Sequence, residues 1–146
     1  MNSENLFSPW RPYALSILRI MTALLFLEHA TQKLFGFPPS PMHPALFSLF
    51  GFAGMLELVG SLLLVVGLFT RPVAFILSGE LAVAYFMAHA PHSFFPLLNY
   101  GEGAILYCFI YLYIATAGAG LWSLDHWRAT RRSGTAPVKM PAGARA

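Results

Sequence analysis

Apolar residues fall into four long runs, near residues 14–36, 46–69, 72–90 and 102–122. Each is about the 20 residues that a helix needs to cross a bilayer. The second, LFSLFGFAGMLELVGSLLLVVGLF, carries a single charge. Proline and glycine punctuate the connections: Pro38, Pro39, Pro41 and Pro44 follow the first run, and Pro91 and Pro96 follow the third. Pro72 suits the opening turn of the third helix, where a missing N–H costs nothing. The pattern predicts an all-α, four-helix transmembrane bundle. Glu28 interrupts the first run and no convincing cleavage site follows, so that run reads as a retained span and not a signal peptide.

Composition supports a membrane class. Of 146 residues, 57% are hydrophobic and 10% charged, and the mean hydropathy is +0.61. A soluble domain carries about a quarter charged residues. The formal charge of +3 comes mostly from one end of the chain, which argues for a basic cytoplasmic face and against nucleic acid. Cys108 is the one cysteine, so an internal disulfide and a CxxC relay are excluded.

Four spans place both termini and the Arg71 turn on one side, together with Arg11, Arg128, Arg131, Arg132, Lys139 and Arg145. Lys33 alone falls on the other. The excess of basic residues assigns the first side to the cytoplasm of a bacterial inner membrane. Arg19, near the start of the first helix, is expected to snorkel to that interface. Trp10, Tyr13, Trp122 and Trp127 form an inner aromatic anchor, and Phe35, Phe37, Phe94, Phe95 and Tyr100 an outer one. The domain is expected to cover residues 1–127. Residues 128–146 read as a disordered basic tail lying on lipid headgroups.

Candidate chemistry lies where polar groups enter these runs. At 1.5 Å of rise per residue, Glu57 and Glu80 lie near the midplane and Glu28 and His29 slightly outward. Lys33, His89 and Glu102 lie near the outer interface. His29 and Lys33 are four apart and share a face. Glu57 shares its stripe with Ala53, Gly60, Leu64 and Gly67, small residues that bring a neighbouring helix close, so Glu57 faces the interior. Glu80 and His89 lie half a turn apart, on different faces. FLEHA (26–30) and FMAHA (86–90) echo one another and hint at a parallel repeat of helices 1–2 and 3–4.

HATQKLFGFP (29–38), Glu57 with Gly60, LLLVVGLFTRP ending at Pro72, His89, NYGE (99–102) and GAGLWSLD ending at Asp125 together resemble the DoxX family of small four-helix membrane proteins. Ala30 departs from the pattern, since the resemblance implies glycine there. Glu28 and Glu80 match no family position. Some DoxX-like proteins are similar to a membrane subunit of thiosulfate:quinone oxidoreductase, and others are linked to oxidoreductase complexes and oxidative-stress handling. The resemblance implies a membrane protein that supports redox chemistry.

Three readings stay open. In the first, the chain is a quinone-interacting subunit. His29, Lys33, Glu57, His89, Tyr100 and Glu102 are its ligand-binding or proton-exchanging candidates, with Glu28, Gln32 and Asn99 secondary. A quinone needs an apolar cleft, a hydrogen-bond donor and a proton-exchanging group. Lys33 pairing with Glu57 or Glu102 would keep both partners ionised, and such pairs can also simply fix helix register. In the second, the chain binds or transports a small molecule, with glutamates at the midplane. In the third, it is an assembly subunit whose glycines, Gly51/Gly54 and Gly118/Gly120, make helix contacts in a homo- or hetero-oligomer. No Glu-x-x-His pair suggests a di-iron site. His29 and His89 as axial ligands of a b-type haem are the weaker use of those residues. His43 and His92 read as surface residues.

Overall fold

The computed structural model describes residues 7–41 and 44–133. After a 3-10 turn at Ser8–Trp10, the chain forms α1 (Arg11–Phe35), α2 (Leu49–Val66), α3 (Thr70–Ala84), α4 (Glu102–Ala117) and α5 (Leu124–Ser133). There is no strand among the described residues. Three helical stretches, Ser8–Phe35, Leu49–Val66 and Thr70–His89, are long and apolar enough to cross a membrane, and α4 is a shorter apolar helix.

Local chemistry sets the helix ends. Gly36, at φ 66°, closes α1: its N–H donates to Gln32 O at 3.1 Å and Phe37 N–H to Thr31 O at 3.3 Å. Ser48 caps α2, its hydroxyl accepting from Gly51 N at 3.1 Å. Gly67, at φ 69°, ends that helix. These caps trim the expected second span at both ends. The third span starts two residues earlier than expected and finishes in a π-helical turn, Tyr85–His89, where Ala90 N donates to Tyr85 O at 2.9 Å.

Two expectations fail at the C-terminal side. The fourth helix stops at Ala117 and not near residue 122, because Gly118 (φ 99°) and Gly120 (φ 73°) leave helical conformation. These two glycines therefore lie in a loop and not on a helix face. That loop turns back onto α1, where Trp122 N donates to Ser16 Oγ at 3.1 Å. The second correction concerns the tail. Residues 128–133 belong to α5, with Arg131 stacked 4.1 Å over the Trp127 ring. A cation on an aromatic face favours the helical spacing of four. The rest of the expected tail, with Lys139 and Arg145, and His43 lie outside the described residues.

Asp125, in the first turn of α5, ties the ends together. Its Oδ1 accepts from Phe69 N at 3.0 Å and its Oδ2 from Thr70 N at 2.8 Å. It supplies the cap that α3 lacks, and Asp125 N donates to Gly67 O at 2.9 Å in return. The carboxylate answers both the free amides and the positive end of α3.

The helices form two antiparallel hairpins: α1 packs chiefly on α2, and α3 on α4. The sequence echo recurs at both ends of α1 and of the third span. Arg11-Pro12-x-Ala14 and Phe26-x-x-His29-Ala30 recur as Arg71-Pro72-x-Ala74 and Phe86-x-x-His89-Ala90, each residue numbered 60 higher. The core is Ala23, Phe26, Leu64, Ala74, Leu77, Leu81, Tyr111 and Ile114. Polar side chains turn inward beside it: Ser16, Arg19, Thr22, Glu57, Ser61 and Ser78 are buried, while Met21, Leu24, Phe52, Phe75 and Phe109 are exposed. That is the reverse of a soluble domain, and it suits a lipid solvent. Hydrogen bonds cross between the helices. Ser78 Oγ donates to Cys108 O at 2.8 Å, and Tyr111 OH to Thr22 O at 3.1 Å.

Candidate functional site: a buried charged cluster

Lys33 leaves the last turn of α1 and reaches to α2. Its Nζ lies 2.5 Å from Glu57 Oε1. Gly54 makes the approach possible, since a Cβ there would sit 3.1 Å from Lys33 Cβ. Glu57 is only 2% exposed. Beside it, from α3, stands the carboxyl of Glu80, close enough for the two to interact directly. Glu57 and Glu80 stand at equal sequence separation from the Leu68–Phe69 turn, so the antiparallel hairpin sets them level. Gly60 lets the helices close: a Cβ there would meet Leu77 Cδ1 at 2.9 Å. Three helices thus bring one ammonium and two carboxyls together. Tyr111 of α4 is electrostatically in range of both glutamates.

The other candidates lie elsewhere. His89 ends the π-helical turn that closes the third span. Its Nδ1 donates to the Asn99 carbonyl at 2.9 Å, because a carbonyl only accepts. Asn99, 3% exposed, is the hub of the loop that follows: its Oδ1 accepts from Gly101 N and its Nδ2 donates to Ser93 O, both at 2.8 Å. Tyr100 takes φ 58° and is 89% exposed. Glu102 opens α4, exposed, where a carboxylate suits the helix N-terminus. His89, Tyr100 and Glu102 therefore do not join Lys33 and Glu57. His29 is exposed on α1, with its ring centroid 6.3 Å from that of Tyr107. With Glu28, Gln32 and Pro38 it lines a small recess of about 90 Å³.

The sequence reading missed two residues of consequence. Glu80 was matched to Glu57 in depth, yet only the closed hairpin makes them partners. Arg19 does not snorkel. It is fully buried and donates from Nε to Ala119 O at 2.8 Å, and from Nη1 to Val65 O at 2.9 Å. It also donates to Leu64 O and Trp122 O. It clamps the end of α2 to the loop after α4. Arg71 does the same at the end of α4, donating to Ala115 O at 3.1 Å and Thr116 O at 2.6 Å. At the same end of the bundle, a wider cavity of about 480 Å³ lies among Leu15, Thr70, Arg71, Asp125 and His126. No group of three or more His, Cys, Asp or Glu among the described residues is arranged to hold a metal ion.

Apolar exteriors around buried charge define a helical membrane protein. The chain belongs to the DoxX family, whose model matches residues 14–90. It is similar, at 44% identity over 132 residues, to an uncharacterised protein of Haemophilus influenzae, covering 84% of this chain and 96% of that one. No solved structure matches it.

Proposed function

We propose that this DoxX protein is a quinone-interacting, proton-exchanging subunit of an oxidoreductase complex in the bacterial cytoplasmic membrane. The supporting observation is the Lys33–Glu57–Glu80 cluster, shielded inside an apolar bundle. Ionisable groups within a membrane default to a functional role. A subunit serving a lipid-soluble carrier needs an interior group that exchanges protons and a polar recess near the lipid. His29 and Gln32 supply the second at the outer end. The recess is small and suits one edge of a ring held mainly by apolar contacts.

The chain crosses four times, with both termini cytoplasmic. Arg11, Arg71, Arg128, Arg131 and Arg132 gather at one end, which fits the bias of cytoplasmic loops toward basic residues. The 16-residue α4 is about 24 Å long. The segment after it reaches the Trp10 end, where Trp122 packs edge-on against Tyr13 at 5.8 Å. A C-terminal reporter that is active only in the cytoplasm is expected to be active; activity of a periplasmic reporter instead reverses the assignment.

Extraction of the protein in mild detergent tests the redox reading. Quinone is expected to copurify with the wild type and to fall several-fold in His29→Ala, an exposed position that leaves the fold intact. Wild-type protein free of quinone would count against the proposal. The two-hairpin repeat favours a second reading, small-molecule transport with the pseudo-axis along the membrane normal. Solute uptake by proteoliposomes holding this chain alone would favour it.

A further inference from the structure

The Lys33–Glu57–Glu80 cluster holds more negative than positive groups. Glu57 Oε1 is committed to Lys33. Glu57 Oε2 and Glu80 Oε2 are both buried without a hydrogen-bond partner among the described residues. Ser61, one turn along α2 and fully buried, has a hydroxyl in the same condition. An unanswered carboxylate oxygen in an apolar interior is costly, and two side by side are more so.

Among the described residues, no second cation pairs with the cluster. Arg19 is spent on backbone carbonyls at the far end of α2. Arg11, Arg71, Arg128, Arg131 and Arg132 are exposed, at the Trp10 end. Tyr111 of α4 is in electrostatic range of the pair, but its hydroxyl already donates to Thr22 O. Among the described residues, Lys33 from α1 pairs with the carboxyls and Tyr111 from α4 acts on them only electrostatically, and neither completes the charge.

We propose that Glu57 and Glu80 form a proton-binding site, one exchangeable proton being held between the two carboxyls. The bound state is a carboxylic acid donating to a carboxylate, a strong charge-assisted hydrogen bond. With Lys33 protonated, the cluster is neutral when the proton is bound and singly negative when it leaves to water or to a carrier. A metal cation fits less well. Hard cations take about six or more oxygen ligands, and the two glutamates with Ser61 offer too few. The inference goes beyond the quinone reading, because the site stands whether or not a quinone binds.

Infrared spectroscopy of the detergent-purified chain reads this directly. At neutral pH the wild type is expected to show the carbonyl stretch of a protonated carboxylic acid, shifted to lower frequency in D2O. The band should vanish in both Glu57→Gln and Glu80→Gln and persist in Glu28→Gln, with helicity followed by circular dichroism. Loss from both variants while helicity is kept supports the shared proton. A wild type without the band, or a band that survives in both variants, overturns it. So does a band that sodium chloride removes and choline chloride does not, which would mark a sodium site. If Glu57→Gln does not fold, Glu80→Gln alone decides. Quinone content is a separate measurement, so failure here and failure of the redox reading are told apart.

Discussion

Arg19→Met is expected to destabilise the protein by about 3 kcal/mol or more, read as unfolding at a lower SDS fraction in mixed micelles. Four carbonyl oxygens, on α2 and on the loop after α4, share this one guanidinium. A hydrogen bond to a charged group contributes roughly 1.5–3 kcal/mol, and a buried acceptor left empty costs about as much. Methionine fills the space but satisfies none of them. Arg19→Lys is expected to recover less than half, since a point ammonium cannot span the fork that the guanidinium fills. The Asp125 carboxylate, which acts on Arg19 through space, would also lose a countercharge. An Arg19→Met protein that unfolds at the wild-type midpoint would show that the clamp carries no stability.

The second large effect concerns Lys33. Lys33→Met leaves Glu57 buried without its cation, and removing one member of a buried ion pair costs about 3–5 kcal/mol. The side chain of Lys33 keeps 24% of its surface exposed, so the low end of that range is expected. Glu57→Gln removes the other charge. If the pair matters as a pair, Lys33→Met/Glu57→Gln is more stable than Lys33→Met alone and the cycle shows coupling above about 1 kcal/mol. Additive losses would instead mean that each residue acts separately. The same background tests the placement of Glu80: Lys33→Met/Glu80→Gln should also recover stability, because it lowers the negative charge beside Glu57.

Much of the fold was legible because lipid imposes a simple rule. Every backbone amide in hydrocarbon must be satisfied within its own helix, so long apolar runs become helices. The exact ends were less legible: Ser48 and Gly67 cap α2 inside the expected span, by local chemistry that hydropathy does not register. The inward face of Glu57 was legible for a similar reason, since small residues on its stripe admit a neighbour. The outer candidates misled because depth is only one coordinate. Lys33, His89 and Glu102 share a level, yet Glu102 faces solvent at a helix start and His89 is held by the loop that follows it.

The sequence by itself determined an all-helical membrane chain, its DoxX resemblance and the interior face of Glu57. These follow from periodicity, hydropathy and residues acting within a turn or two of themselves. The tertiary structure alone decided that Lys33 reaches Glu57 and not Glu102, that Glu80 completes the cluster, and that Arg19 turns inward. Those outcomes depend on how closely two helices approach, at Gly54 and at Gly60, and on where the loop after α4 returns. A long flexible side chain has several partners within reach of its sequence position; only packing in three dimensions selects one.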